Sequence, residues 1–283
     1  MNFNMYPERG GAFALVRTML SAWALAGLLV LSGCIIADID DDDDGFGGTE
    51  FVARASFSFE VDVTNQKRIR VEAINGHVEI SGRGDAASVR VSGERQVGSH
   101  SHADAERYLD DLQVEVEDLG DEIVIRTIQP RDHQGRNYVV DYTITLPVDL
   151  DVLAGLINGN VSVTNIEALV SVNTVNGNIR LRNITGNTSV ILVNGNIDSE
   201  VFLPLDGTID LIITNGNITL EIPELTSAEF NARVTNGAIS LSNLDLQDAE
   251  STNRSLAGTL GDGEGSIALQ TVNGNIGVHG FER

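Results

Sequence analysis

Asn-Gly pairs stand at 75–76, 158–159, 176–177, 194–195, 215–216, 236–237 and 273–274, and each opens nearly the same phrase. From 158 onward the copies are 18, 18, 21, 21 and 37 residues apart. After each pair comes one residue and then an aliphatic one: Val78, Val161, Ile179, Ile197, Ile218, Ile239 or Ile276. A fixed period near 20 residues is the mark of a solenoid, in which each coil buries its apolar face only against its neighbours. The phrase therefore predicts an all-β fold, a single-stranded β-helix or β-solenoid. Its coils have about 18–21 residues, each built of two or three short strands, and right-handed winding is preferred because no six-residue aliphatic repeat runs through them.

Stereochemistry explains the wording. Asparagine tolerates left-handed backbone, and glycine accepts positive φ at no steric cost. Identical corners stacked coil on coil let each side-chain amide donate to one neighbour and accept from the other. The expected turn ladder is Asn158-Gly159, Asn176-Gly177, Asn194-Gly195, Asn215-Gly216, Asn236-Gly237 and Asn273-Gly274. Asn-Gly is also a strong hairpin signal, so an antiparallel meander competes. A meander gives no reason for every second turn to be chemically identical. The 37-residue interval fits one more coil plus an insertion, and residues 243–265, rich in Asp, Ser, Gly and Asn, read as a long surface loop.

Between 50 and 147 short alternating runs such as FSFEVDV, RIRVEAI and EIVIRTI predict a β-rich region. One helix interrupts it. Ser101 with Asp104 three residues on resembles a capping box, and Ala105, Leu109 and Leu112 follow at helical spacing. Residues 148–283 then carry the solenoid repeats.

The first 33 residues read as a targeting segment, with Arg9 and Arg17 before an apolar run from Met19 to Leu31. Leu31-Ser32-Gly33-Cys34 resembles the lipobox of bacterial lipoprotein signal peptides, which implies lipidation at Cys34 and a membrane held through an N-terminal lipid anchor. A transmembrane anchor is the competing reading, since the run reaches spanning length only if residues 34–37 are included. Ile35, in place of Asp after the cysteine, implies the outer membrane under the enteric sorting rule. Residues 34–49 form the lipidated Cys and an acidic flexible tether, DIDDDDDGFGGT from 38; its acids lack the ligand spacing and closing Glu of a calcium loop.

The stretch from Phe57 to Ile276 resembles the bacterial candidate-adhesin family of β-strand-repeat proteins, a domain of unknown function. VEAINGHVEISG, TITLPVDLDVLAGLINGNV and the later VNGNI and TNGNI phrases carry the likeness. It implies an extracytoplasmic β-helix-like domain and supplies no catalytic residues.

A net charge of −23 sets the chain against nucleic acid. None of G-x-S-x-G, H-E-x-x-H or C-x-x-C occurs, so neither catalytic residues nor a metal or other cofactor is assigned. His100, His102 and Asp104 could ligate a metal, but capping and solvation account for them. The outward position between paired aliphatics runs Ser162, Arg180, Asp198, Thr219, Ser240 and Gly277. Arg180 and Asp198 should meet one coil apart as a surface ion pair, with Glu200 and Asp210 grouping nearby. The expected function is a lipid-anchored cell-envelope protein with a non-catalytic surface for adhesion, binding or scaffolding, its ligand a glycan or protein surface. A polysaccharide-active enzyme and an envelope component that binds a membrane protein are the alternatives.

Overall fold

Aliphatic and small polar residues alternate through most of the chain, so each strand buries one face and wets the other. A computed structural model describes residues 51–282 and turns that alternation into two open sheets facing each other across one apolar core. The fold is all-β and β-solenoid-like.

The N-terminal part contributes β1 (Phe51–Asp62), β2 (Arg68–Glu72), β3 (Val78–Arg83), β4 (Ser88–Ser99), α1 (His102–Leu109), β5 (Gln113–Asp118), β6 (Glu122–Ile128) and β7 (Asn137–Pro147). Coils follow as strand pairs: β8 (Asp151–Asn158) with β9 (Val161–Ile166), β10 (Val170–Asn176) with β11 (Ile179–Ile184), and β12 (Thr188–Asn194) with β13 (Ile197–Val201). The pairs β14 (Thr208–Asn215) with β15 (Ile218–Pro223) and β16 (Ala228–Asn236) with β17 (Ile239–Ser242) continue them. Last come β18 (Leu246–Ser251), β19 (Ser255–Leu260), β20 (Gly265–Asn273) and β21 (Ile276–Phe281). Each coil thus has two strands, one in each sheet, joined at Asn-Gly.

Successive coils pair in parallel and in register, which rules out the hairpin meander. Val172 lies beside Ala154 and Val190, and Leu181 beside Val163 and Ser199. The result is stacked columns of buried aliphatics, such as Val161, Ile179, Ile197, Ile218 and Ile276. Ser199 interrupts its column, fully buried, and donates its hydroxyl to the Thr219 carbonyl at 3.2 Å.

The stacking order departs from the chain order at both ends. The ten-stranded sheet runs β1-β4-β7-β3-β9-β11-β13-β15-β21-β17, and the eleven-stranded sheet β18-β19-β16-β20-β14-β12-β10-β8-β2-β6-β5. The first coil, β2/β3, sits between β6/β7 and β8/β9. The last, β20/β21, slips between β14/β15 and β16/β17. Each terminal coil is thereby held one layer inside the stack, where it gains two neighbours in place of one. Both sheets also run unbroken across 147/148, the division drawn from the strand pattern.

The structure departs from two expectations. Residues 243–265 are no long surface loop: β18 and β19 pair antiparallel, and β19 pairs antiparallel with β16, closing the end of the eleven-stranded sheet. The 37-residue interval therefore holds a hairpin that caps an edge, and edges left bare invite further pairing. The Asn of each Asn-Gly also keeps strand geometry; glycine alone takes positive φ, from 122° at Gly76 to 149° at Gly274. Left-handed asparagines occur at the opposite corner instead, at Asn165, Asn183 and Asn243.

Candidate functional site

Two ladders of amides run along the Asn-Gly corners. In the first, Asn158 Nδ2 donates to Asn75 Oδ1, Asn176 to Asn158, Asn194 to Asn176, Asn215 to Asn194, Asn273 to Asn215 and Asn236 to Asn273, each at 2.8 Å. Asn75 ends it on the Tyr138 carbonyl at 2.9 Å. Seven amides point the same way, and each interior one both donates and accepts. The glycines let the backbones nest: Gly159 N–H donates to the Asn176 carbonyl at 2.8 Å, and Gly177 N–H to that of Asn194 at 2.9 Å.

The second ladder belongs to the asparagine two places on, which the sequence reading passed over. Asn160 Oδ1 accepts the Asn178 backbone N–H at 2.8 Å, Asn178 Oδ1 that of Asn196 at 3.1 Å, and Asn196 Oδ1 that of Asn217 at 3.1 Å. Asn217 Oδ1 accepts from Asn275 at 2.9 Å, and Asn275 from Ala238, also at 2.9 Å. Its signal was available in the recurrence of Asn-Gly-Asn itself.

The outer face of the ten-stranded sheet carries the predicted column, in the stacking order Ser162, Arg180, Asp198, Thr219, Gly277, Ser240. Arg180 Nε lies 3.6 Å from Asp198 Oδ2, and Arg182 Nη2 reaches the same oxygen at 2.5 Å. A groove of about 480 Å³ runs beside them, lined by Asn160, Ser162, Asn178, Arg180, Asn196 and Asp198. Glu200 stands on the same face, next to Glu221. Asp210 does not join them, because β14 belongs to the other sheet and points it outward there. The acidic grouping expected of Asp198, Glu200 and Asp210 therefore does not form.

His100, His102 and Asp104 are not brought together as ligands. Among the described residues no group of three or more His, Cys, Asp or Glu is placed to hold a metal ion. The His102 ring packs on Phe51 with centroids 4.3 Å apart. Ser101 caps α1, accepting the Asp104 N–H at 3.3 Å, but the Asp104 carboxylate turns away from the cap. It takes two bonds from Arg136, at 2.7 and 2.9 Å, and one from the Ser99 hydroxyl. Arg136 lies over the Tyr108 ring at 3.4 Å, so the ion pair ties α1 to the start of β7.

Arg136 and Ser99 hold the Asp104 carboxyl down at about 2, against an ordinary 3.8. A depressed carboxyl supports the fold above its ordinary value and loses that support as pH falls toward 2. In Arg136→Gln we expect the Asp104 midpoint, followed by NMR, to move back toward 3.8, and the support, which scales with the depression, to shrink with it at every pH above that value. An unchanged midpoint would show that the pair does not hold the carboxyl.

Cys34, the predicted signal segment and the acidic tether lie outside the described residues. Among the described residues no helix is long and apolar enough to cross a membrane.

The profile of a family described as Toastrack DUF4097 matches residues 64–279. None of the curated proteins compared matches the chain. Among solved structures, a protein from Clostridium sporogenes described as a candidate cell adhesion protein is 14% identical, with a TM-score of 0.44, over 81% of this chain and 100% of its own. A candidate adhesin from Bacteroides fragilis is 12% identical, with a TM-score of 0.31, over 79% of this chain and 96% of its own. A candidate lipid binding protein from Parabacteroides distasonis is 16% identical, with a TM-score of 0.30, over 78% and 96%. Likeness at this level says nothing about what the present chain binds.

Proposed function

The chain belongs to the Toastrack DUF4097 family, and from that premise we propose that it is a lipid-anchored cell-envelope protein whose solenoid surface serves adhesion, binding or scaffolding without catalysis. The observation that carries this reading is the outward column on the ten-stranded sheet. Small and charged polar residues repeat there once per coil, on a frame fixed by two amide ladders. Parallel neighbours repeat at about 4.8 Å, so the face offers hydrogen-bonding groups at a regular spacing along one direction. Such a face suits an extended partner, a glycan strand or the surface of another protein. The ladder also limits the loss of side-chain freedom on binding, since amides already ordered have little left to lose. We further propose right-handed winding with coils of 18–21 residues, and anchoring at the outer membrane through acylated Cys34.

Incubating the full chain with a panel of polysaccharides, and following both retention and product release, tests the reading. Retention without turnover, weakened in Arg180→Ala/Asp198→Ala, is the expected outcome. Turnover abolished by substituting Asp198 would replace this reading with a carbohydrate-active enzyme. For the anchor, Cys34→Ala should lose acylation and membrane retention; normal retention would contradict it.

A further inference from the structure

The period lengthens from 18 to 21 residues partway along the solenoid, and the extra residues fall at the corner opposite Asn-Gly. Ile184 pairs with Val201 and Thr188 with Ile209, so these mark equivalent points on successive coils. Three residues, 185–187, lie between β11 and β12 at that corner; six, 202–207, lie between β13 and β14. The shorter corner shows what the fold requires. The surplus builds a wall, and the following turn at 224–227 raises a second one beside it.

Between them lies a groove of about 760 Å³. Phe202, Leu203, Leu205, Pro223, Leu225 and Phe281 supply its apolar lining. Phe202 and Phe281 meet edge to face with centroids 5.5 Å apart and brace the floor. The tips face water: Leu205 is 69% exposed and Leu225 is 95% exposed. Nothing in turning a corner requires two leucines in those positions, and turns are ordinarily polar. Among the described residues, the other ionisable groups on the lining are Glu224, Asp262, Glu264 and Glu282, with no Lys, Arg or His.

We propose that this corner groove is a docking site for a segment of another polypeptide that presents leucine-like side chains flanked by lysine or arginine. The leucines and phenylalanines supply the burial, and the four carboxylates supply the field that selects a cationic flank. The same field argues against the other occupants. The chain's own tether, DIDDDDD at 38–44, is repelled, as is an anionic lipid surface. A second copy brings another −23 of charge against the rim. The site is distinct from the sheet face of the proposed function and holds whether or not that face binds a glycan.

Fluorescence polarisation of a labelled peptide of alternating Leu and Lys, titrated with the full chain, tests it. Saturable binding is expected. It should weaken at least about tenfold in Leu205→Asp/Leu225→Asp, weaken as salt is raised, and disappear for the Leu/Glu counterpart. Both leucine tips are exposed, so the double variant should melt as the parent does. Arg180→Ala/Asp198→Ala should bind the peptide unchanged, which separates this groove from the sheet face. Equal binding by the double variant, or equal binding of a Lys/Ser peptide without leucine, overturns the proposal. So does a dimer of the full chain in sedimentation that the double variant lacks, or binding to phosphatidylcholine vesicles lost in that variant; these would assign the groove to a second copy or to lipid.

Discussion

Gly195→Ala is expected to destabilise the protein by about 4 kcal/mol or more, enough to prevent folding in many domains of marginal stability. Gly195 has φ of 143°, and a Cβ built there would meet the Gly177 carbonyl oxygen at 1.6 Å. The obstacle is backbone belonging to the next coil, so no side-chain rotation relieves it. Two coils must part, and the amide ladder and the aliphatic columns part with them. Gly120→Ala is the control. Its φ is 92°, but nothing lies within 4 Å of the new Cβ, so it should cost only the conformational strain, about 1 kcal/mol. Denaturant unfolding of both variants measures the difference. Similar small losses in the two would mean that the corners are not in backbone contact.

Removing residues 263–283 should do more than shorten the solenoid by one coil. By chain order β20/β21 is the last coil; by stacking it lies under β16/β17. Its loss takes away Ile267, Leu269, Ile276 and Val278, all buried, and leaves Phe230 and Ala232 without their stacked neighbours. A solenoid is held by nearest-neighbour interfaces, so two are lost in place of one. Among the described residues the hairpin β18–β19 joins the sheet by pairing with β16 and should be released with it. Hydrogen exchange is expected to show 228–260 unprotected in the truncated chain, with protection kept over β8–β13. Native-like protection of 228–242 would show that β16/β17 stacks directly on β14/β15.

The solenoid was legible because one corner, restated with its aliphatic followers, fixes period and register together. The sequence alone places Val161, Ile179 and Ile197 in a single column. The stacking order was not legible, because every coil presents the same phrase: Asn273 fits beside Asn215 as well as Asn236 would. β19 occupies one edge of β16, so β20 pairs with the other; the hairpin that brings β19 there opens with LQDAES, too polar to read as a strand because it lies exposed at the sheet edge. The ion pair of Arg180 with Asp198 followed from an 18-residue offset. Asp210 was misplaced because proximity in sequence says nothing about which sheet a strand joins. The corner groove was present only as a change of period, whose location within the coil needed the paired register to reveal it.

Order in the stack is the claim on which the ladders, the truncation and the groove all rest, and crosslinking tests it directly. Parallel neighbours lie about 4.8 Å apart, within the Cα range of a disulfide, whereas positions two coils apart lie about 10 Å apart and outside it. In a chain carrying Cys34→Ser, the pair Ser240→Cys with Gly277→Cys should oxidise readily to a disulfide, because these residues are register partners. The pair Thr219→Cys with Ser240→Cys should not, because Gly277 stands between them. A disulfide between 219 and 240 with none between 240 and 277 would contradict the threaded stack and restore the simple chain order.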